Sequence, residues 1–202
     1  VQMSAIGIAR NPDLIALMDK ANFRSVFVGF ESMLDDHLKD MSKPTNPDIN
    51  RQAAALLKQH HMGIIAGIIA GYPDDTRATV HENFRRMRAL EPDSLYAQYL
   101  TPYPKTEIRR EMLEQGLITN PDDLSLYDGF TCNVRTRHLT QDQLFRLLKW
   151  EAMTFFVRPG RKTKIFFLER FGWNIIFAGL RTLRSDLYNI ITGKRLATRL
   201  DI

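Results

Sequence analysis

The sequence predicts an α/β fold: a partial parallel (β/α) barrel of four βα units, followed by a helical C-terminal region. Strand-like apolar runs alternate with amphipathic helical runs over the first two thirds of the chain. The strand-like runs are apolar almost throughout, as expected where helices or a closed barrel bury both faces. Helix starts are also readable, because Asn-Pro-Asp occurs three times.

The predicted strands define where a site would lie. They cover residues 2–9, 25–30, 62–70 and 94–100. Parallel barrels carry their chemistry at the carboxyl ends of the strands, where the following loops converge. Residues just after these four segments are therefore the candidate site residues. We expect a barrel domain at 1–118 and a C-terminal helical region at 119–202.

The predicted helices are 12–21, 47–60, one from 76 or 79 to 90, 106–115 and 141–157. Asn-Pro-Asp opens the first two, since Asn accepts from free amides and Pro at the first helical position loses no hydrogen bond. A third copy, at 120–122, precedes only a short segment. Thr79 and Glu82 can form a capping box, and so can Thr140 and Gln143. Gly116 is a normal C-terminal signal.

Composition excludes several classes of protein. The chain has 202 residues, enough for one domain or part of a larger one. It begins at Val1 inside a plausible strand, so we expect a fragment. Its one cysteine, Cys132, excludes an internal disulfide and a cysteine-rich metal site built by this chain alone, and favours a reducing, cytoplasmic setting. The sequence shows no secretory signal and no apolar run of about 20 residues.

The basic character of the chain belongs to its C-terminal segment. The net charge is +5, but residues 158–202 hold ten Lys or Arg against three acids, which leaves the rest slightly acidic. Aromatic residues are interleaved with these charges. We expect helices packed on the barrel, because the aromatic side chains need burial. Peripheral contact with an anionic membrane is the second interpretation and nucleic-acid binding the third, and we expect no nucleic-acid partner.

Glu31 is the first candidate site residue. It directly follows the apolar run 26–30, so a carboxylate stands at the exit of a strand. An ionised carboxylate has several acceptor sites and can bind a ribose diol or an amine. The alternative is a solvated or helix-capping acid in the connecting loop.

Two further strand exits carry motifs. Gly67 in a strand interior lets another backbone or a flat ligand approach closely, and Gly71 permits the turn that follows. Tight barrel packing and plain turn chemistry explain both glycines equally well. At the next exit Pro102 and Pro104 hold the loop extended, so the backbone beside Thr101 could pair with a base edge. That loop could equally serve only to enter the next helix.

Histidine and cysteine offer no metal site by spacing. The histidines are His37, His60, His61, His81 and His138. None has a partner at ligand spacing, so surface or capping roles are favoured for all of them. Cys132 has no local His or Asp that would mark a nucleophile, and we expect a structural thiol.

Taken in order, these motifs match a known pattern. The matching residues are Gln2, Ile8-Ala9, Leu14-Ile15, Leu17-Met18, 26–32, Lys43, 67–73 and 100–106, followed by 126–130 and 134–139. Over about residues 1–160 the chain resembles the later half of a radical S-adenosylmethionine (SAM) enzyme of the cobalamin-binding type, together with the segment after its barrel.

The resemblance implies a fold, cofactors and site residues. In that family a six-stranded partial barrel holds a 4Fe-4S cluster on a CxxxCxxC loop after the first strand, and the cluster reduces SAM for radical chemistry. The four strands here would be the third to the sixth. The implied SAM contacts are Glu31 and Ser32 at the ribose, Gly71 and Tyr72 at the adenine, Thr101 at the base, and Gln2, at the mouth of its strand, at the methionine part.

One departure from the family bears on activity. This chain contains no CxxxCxxC, so the cluster ligands and any cobalamin domain would lie outside it, and we expect the fragment alone to be inactive. The missing strands would leave 2–9 as an exposed edge. Our leading interpretation is a fragment of a radical SAM enzyme that performs cyclisation or methyl transfer on a small hydrophobic or porphyrin-like substrate.

Two alternatives stay open. The first is a degenerate barrel that binds a nucleotide-like ligand or a partner without catalysis. The second is a conventional barrel enzyme that uses acid and base groups. This last interpretation needs a second carboxylate or a histidine at a strand end, because proton transfer needs a positioned partner. The predicted strand ends offer Glu31 alone.

Overall fold

A four-stranded parallel sheet forms the centre of the chain. The computed structural model describes residues 1–40 and 45–155. The strands are β1 (Gln2–Ser4), β2 (Ser25–Glu31), β3 (Gly63–Ala70) and β4 (Ser94–Tyr99), in the spatial order β1-β2-β3-β4. All three neighbouring pairs are parallel. The predicted partial barrel of βα units is confirmed.

Helices connect the strands. They are α1 (Ala5–Arg10), α2 (Pro12–Lys20), α3 (Asp35–Asp40), α4 (Pro47–Gln59), α5 (Arg77–Ala89), α6 (Glu107–Glu114) and α7 (Gln141–Thr154), with a 3₁₀ turn at Leu124–Leu126. Asn46 accepts from the amide of Ile49 at 2.9 Å ahead of Pro47, as the Asn-Pro-Asp motif predicts. The capping box of Thr140 and Gln143 also forms.

The predicted strand at 2–9 is wrong beyond Ser4, where α1 begins. The Ser4 hydroxyl accepts from the amide of Gly7 at 3.2 Å and caps the helix. Ala5 and Ile8, three residues apart, are buried on one helix face. A short apolar run is compatible with either a strand or a helix. Here the serine cap selects the helix.

Two other local predictions need correction. The capping box of α5 pairs Thr76 with Thr79, not Thr79 with Glu82, so the helix begins after Thr76, the earlier of the two predicted starts. The third Asn-Pro-Asp opens no α-helix in the described part of the chain. There the side chain of Asn120 donates to the carbonyl of Asp123, at 3.1 Å, and the motif forms a turn. Helix α3 was not predicted.

The two faces of the sheet differ in burial. Val26, Val28 and Phe30 are fully buried under the helices. Each such side chain contributes about 1.5–3 kcal/mol through removal of apolar surface from water. On the other face, Phe27 and Glu31 are only half-buried. We call this second side the open face of the sheet.

Several predictions fall on residues outside the described part. The basic segment 158–202, its helices and its membrane or nucleic-acid contacts lie beyond residue 155, as does the end of the helix predicted to reach 157. The domain division between 118 and 119 stays a prediction. No helix among residues 1–40 and 45–155 is long and apolar enough to cross a membrane.

Candidate functional site

The exits of three strands lie side by side at the carboxyl edge of the sheet. Glu31 ends β2, and Gly71 directly follows β3. The amide of Leu100 donates to the carbonyl of Ala70 at 2.8 Å, so Thr101 stands beside the exit of β3. We call these exits, residues 31–34, 70–76 and 100–104, the rim. The sheet therefore brings Glu31, Gly71 and Thr101 to one edge, as the strand-end rule predicts.

Glu31 has an unusual backbone conformation. Its φ is +63°, and the β2–β3 register shifts between Gly29 and Glu31. Its Oε1 lies 2.7 Å from where a Cβ on Gly29 would stand, so glycine leaves room for the carboxylate over the open face. A positive φ on a residue other than glycine costs about 1–3 kcal/mol and is concentrated at functional sites. The fold therefore holds this carboxylate in place at the strand exit.

The turn after β3 requires Gly71 and is held by one carboxylate. The φ of Gly71 is +104°. The amides of Gly71 and Tyr72 both donate to Oδ2 of Asp75, at 2.8 and 3.0 Å. A Cβ on Gly71 would lie 3.1 Å from Leu144 Cδ2 and 3.3 Å from Val134 Cγ2. Gly71 thus serves both the turn and the close packing of the segment that follows the barrel.

Three buried polar side chains lie behind the rim and form what we call the Ser32–His37–Asp75 chain. Ser32 Oγ is 3.1 Å from His37 Nδ1, and His37 Nε2 is 3.2 Å from Asp75 Oδ1. Ser32 and Asp75 are fully buried, and His37 is 7% exposed. The ring of Tyr72 stacks on His37 with 4.1 Å between centroids. This chain of contacts joins the exit of β2 to the exit of β3.

Sequence reasoning missed His37 and Asp75. The surface or capping role predicted for the histidines is wrong for His37, which is buried. A signal for Asp75 existed, because this acid directly precedes Thr76 at the start of a helix and follows the Gly-Tyr-Pro turn. The prediction that strand ends offer Glu31 alone was also wrong, because His37 and Asp75 lie at the exits of β2 and β3. Both missed groups are buried and bonded to each other, which does not favour a conventional acid–base site.

Ser32 and Thr101 lie at the rim, but their hydroxyls bond within the protein. The Ser32 hydroxyl accepts from the amide of Leu34 at 3.1 Å, in addition to its contact with the histidine. The Thr101 hydroxyl donates to the carbonyl of Tyr99 at 3.0 Å. The predicted contact of Thr101 with the base uses its backbone and not its hydroxyl.

Gln2 does not lie at a strand mouth. It opens β1 and pairs in register with Phe27, whereas the strand ends at Ser4. The prediction assumed a longer strand, which the serine cap of α1 cuts short. Gln2 shares a row of the sheet with Phe27 instead.

Aromatic rings cross the open face below Glu31. Phe27 packs edge-on against Tyr96 at 5.5 Å, and Tyr96 against Phe130 at 5.0 Å. A Cβ on Gly67 would lie 3.1 Å from Phe27 Cζ, so the close approach that this glycine permits is made by a protein ring. Tyr96 is 38% and Phe130 44% exposed. The open face therefore offers an apolar aromatic surface beside a carboxylate.

Two clefts flank the loop 72–74. One has a volume of about 670 Å³ and is lined by Leu34, Asp35, Asp36, His37, Lys39, Tyr72, Asp74, Thr79 and Arg86. The other, of about 610 Å³, is lined by Tyr72, Pro73, Asp74, Leu100, Thr106, Glu107, Ile108, Glu111, Gln115 and Arg137. Neither is lined by Glu31 or Thr101. The predicted site residues converge on the rim and the open face, and only Tyr72 borders the clefts.

The described residues offer no place for a metal cluster. Cys132 is 3% exposed, and its thiol donates to the carbonyl of Val134 at 3.4 Å. Within residues 1–40 and 45–155, no group of three or more His, Cys, Asp or Glu side chains could hold a metal ion. A 4Fe-4S cluster held on three cysteines does not fit this part of the chain.

Sequence comparison finds relatives that are much longer than this chain. No protein-family model matches it. It is 25% identical over 151 residues to an uncharacterised methyltransferase of Pyrococcus horikoshii, which covers 74% of this chain and 32% of the relative. It is 26% identical over 137 residues to the anaerobic magnesium-protoporphyrin IX monomethyl ester cyclase of Cereibacter sphaeroides, covering 68% and 22% respectively. The chain thus spans about a third or less of these two relatives.

A solved structure supports the fold. The chain superposes on TsrM of Kitasatospora setae, a radical SAM methyltransferase solved with cobalamin and a 4Fe-4S cluster bound, with a TM-score of 0.51 and 18% identity. The match covers 68% of this chain and 27% of TsrM. At this level of identity the likeness concerns the fold alone.

Proposed function

Because this chain is a relative of the radical SAM enzymes of the cobalamin type over part of their length, we propose that its rim binds the adenosyl group of SAM. The observation that carries the proposal is Glu31. Its carboxylate stands over Gly29 at the edge shared with Gly71 and Thr101. An ionised carboxylate can accept two hydrogen bonds from a ribose diol.

The other rim residues would shape the site around the base. Gly71 and Tyr72 would border the adenine through their backbone carbonyls, since their amides donate to Asp75 and the Tyr72 ring is buried against His37. The backbone beside Thr101 would contact the edge of the base. Ser32 would support the ribose site from behind, because its hydroxyl is buried. The contact of Gln2 with the methionine part stays a prediction that has lost its premise, because Gln2 opens β1 and does not lie at the mouth of the strand.

We infer that the cluster and the cobalamin belong to parts of the protein outside these residues. When bound, SAM and a reduced 4Fe-4S cluster supply radical chemistry. The chain has one cysteine, which is buried, so the three cluster ligands would come from elsewhere and the chain alone would be inactive. A single free thiol also agrees with a reducing, cytoplasmic setting.

We infer a small hydrophobic or porphyrin-like substrate, on which the parent enzyme would perform cyclisation or methyl transfer. The exposed aromatic rings of Tyr96 and Phe130 support this, because aromatic faces suit flat apolar ligands. The cyclase among the relatives is named for a magnesium porphyrin ester. Peripheral membrane contact through the basic C-terminal segment stays a prediction.

The test is SAM binding to the 202-residue chain, measured by isothermal titration calorimetry. Glu31→Gln should weaken binding by about tenfold to a hundredfold, because a hydrogen bond to a charged group is worth about 1.5–3 kcal/mol. Glu107→Gln is the matched control, since Glu107 is an exposed acid that pairs with Arg110 on α6. Binding that is absent from the unmodified chain, or equal in both variants, would refute the proposal.

A binding module without catalysis is the second candidate, favoured by the lack of cluster ligands in this chain. Anaerobic reconstitution of the full-length product with iron and sulfide separates the two candidates. Appearance of the visible absorbance of the cluster supports the enzyme. Its absence, with SAM binding retained, supports the binding module.

A further inference from the structure

We propose that His37 and Asp75 are positioning residues of the adenosyl site, which couple the exit of β2 to the exit of β3. This inference rests on the proposed function, because it concerns the same rim. Neither side chain needs to touch the ligand. Their effect would be to hold Glu31 in its strained backbone conformation and Gly71 in the turn that its positive φ allows.

The Asp75 carboxylate joins several groups at the β3 exit. Its Oδ2 accepts from the amides of Gly71 and Tyr72, and its Oδ1 accepts from the hydroxyl of Thr79 at 3.0 Å and faces His37 Nε2 at 3.2 Å. A carboxylate has about four acceptor sites, so these contacts use its full capacity. Because the group is fully buried, water cannot replace a contact that is lost.

The hydrogen-bond pattern requires a hydrogen on Nε2 of His37. The Asp75 carboxylate only accepts, so Nε2 of the histidine must carry the hydrogen. The Ser32 hydroxyl accepts from the Leu34 amide and can donate its own hydrogen to Nδ1. Nε2 of His37 therefore donates to Asp75 while Nδ1 faces the Ser32 hydroxyl, so the ring is a bridge from Ser32 to Asp75.

This bridge connects the two residues with positive φ at the rim. Ser32 directly follows Glu31, whose φ is +63°, and Asp75 holds the amide of Gly71, whose φ is +104°. Strained backbone persists only where the surroundings determine it. The stacking of Tyr72 on His37 adds a second contact between the same two exits. Removal of the imidazole would let the two exits move independently.

The first experiment compares ligand affinity with stability in the 202-residue chain. His37→Ala should weaken SAM binding by about tenfold, the lower end of the range for groups that orient a binding side chain. Leu57→Ala is the matched control. Leu57 is fully buried, and its carbonyl accepts from the amide of Met62 just before β3, at the edge opposite the rim. This control should lower the melting temperature at least as much and leave SAM affinity unchanged.

A conservative variant and a spectroscopic measurement complete the test. His37→Gln can place an amide donor where Nε2 stands, so it should recover most of the affinity that alanine loses. Nitrogen-15 NMR of the unmodified chain should show His37 with hydrogen on Nε2. Amide exchange at Gly71 and Tyr72, measured relative to core amides of the same variant, should accelerate in His37→Ala but not in Leu57→Ala.

The outcomes separate the two ideas. If the unmodified chain does not bind SAM, the proposed function fails and this inference fails with it. If the chain binds SAM and His37→Ala binds equally well, only the inference is overturned. A neutral His37 with hydrogen on Nδ1 overturns it as well, whether or not the variants fold.

Discussion

Replacing Gly71 with alanine tests whether the exit of β3 requires a residue without a side chain. An alanine at this position would have to keep a φ near +104°, which L-residues rarely occupy. Its Cβ would lie 3.1 Å from Leu144 Cδ2 and 3.3 Å from Val134 Cγ2, closer than ordinary van der Waals contact. The variant therefore meets two separate costs, one in the backbone and one in packing.

The two costs give the expected magnitude. A left-handed conformation costs an L-residue about 1–2 kcal/mol, and an extra carbon forced into a packed core costs about 1–3 kcal/mol. We expect the free energy of unfolding to fall by about 2–5 kcal/mol, a large part of the stability of a typical domain. Urea denaturation followed by circular dichroism measures this as a lower midpoint at an unchanged slope.

Gly116→Ala is the matched control. Gly116 follows α6 with a φ of +62°, and its Cβ would meet only Arg135 Nη2, at 3.9 Å. At this φ, inside the ordinary left-handed region, alanine meets a smaller backbone cost and no crowding, so the free energy of unfolding should fall by about 1 kcal/mol. If Gly71→Ala lowers the free energy of unfolding no more than Gly116→Ala does, the reasoning about crowding at the rim is refuted.

Two further predictions concern charged groups away from the rim. Glu151→Ala should lower the free energy of unfolding by about 3–5 kcal/mol, because it leaves the guanidinium of Arg88 buried without its carboxylate. Urea denaturation measures the loss, and one below about 1 kcal/mol would contradict this account. Hydrogen bonds from Arg85 and then Arg86 lower the pKa of Glu82 to about 2, so its stabilising contribution is complete above the ordinary value of 4.5 and disappears as the pH falls through 2. An NMR titration of the Glu82 carboxyl with a midpoint near 4.5 would disprove the lowered pKa.

Most of the fold was predictable from local chemistry. The apolar run before Glu31 forms β2, and the Asn46-Pro47 start opens α4, because caps and strand periodicity depend on residues a few positions apart. The exception at Ser4 has the same origin. There the apolar residues that follow Ser4 are compatible with a strand or a helix, and the serine cap that selects the helix lies only a few residues away.

The candidate site was predictable only in part. Glu31, Gly71 and Thr101 follow from the rule that parallel strands end at one edge. The contact between His37 and Asp75 does not follow from any spacing, since the two residues belong to different βα units and meet only when β2 and β3 pair. The inward direction of the Ser32 hydroxyl likewise depends on a histidine presented by a short helix that the sequence did not reveal.

The amino-acid sequence by itself therefore determined which chemical groups stand at the strand exits, where helices begin, and that one cysteine cannot hold a cluster. Tertiary structure alone decided which distant groups meet: the imidazole of His37 with the carboxylate of Asp75, and the aromatic rings that form a surface under Glu31. The physical reason is range. Backbone preferences and caps act over a few residues, whereas hydrogen bonds between distant segments form only after the strands have paired and excluded water.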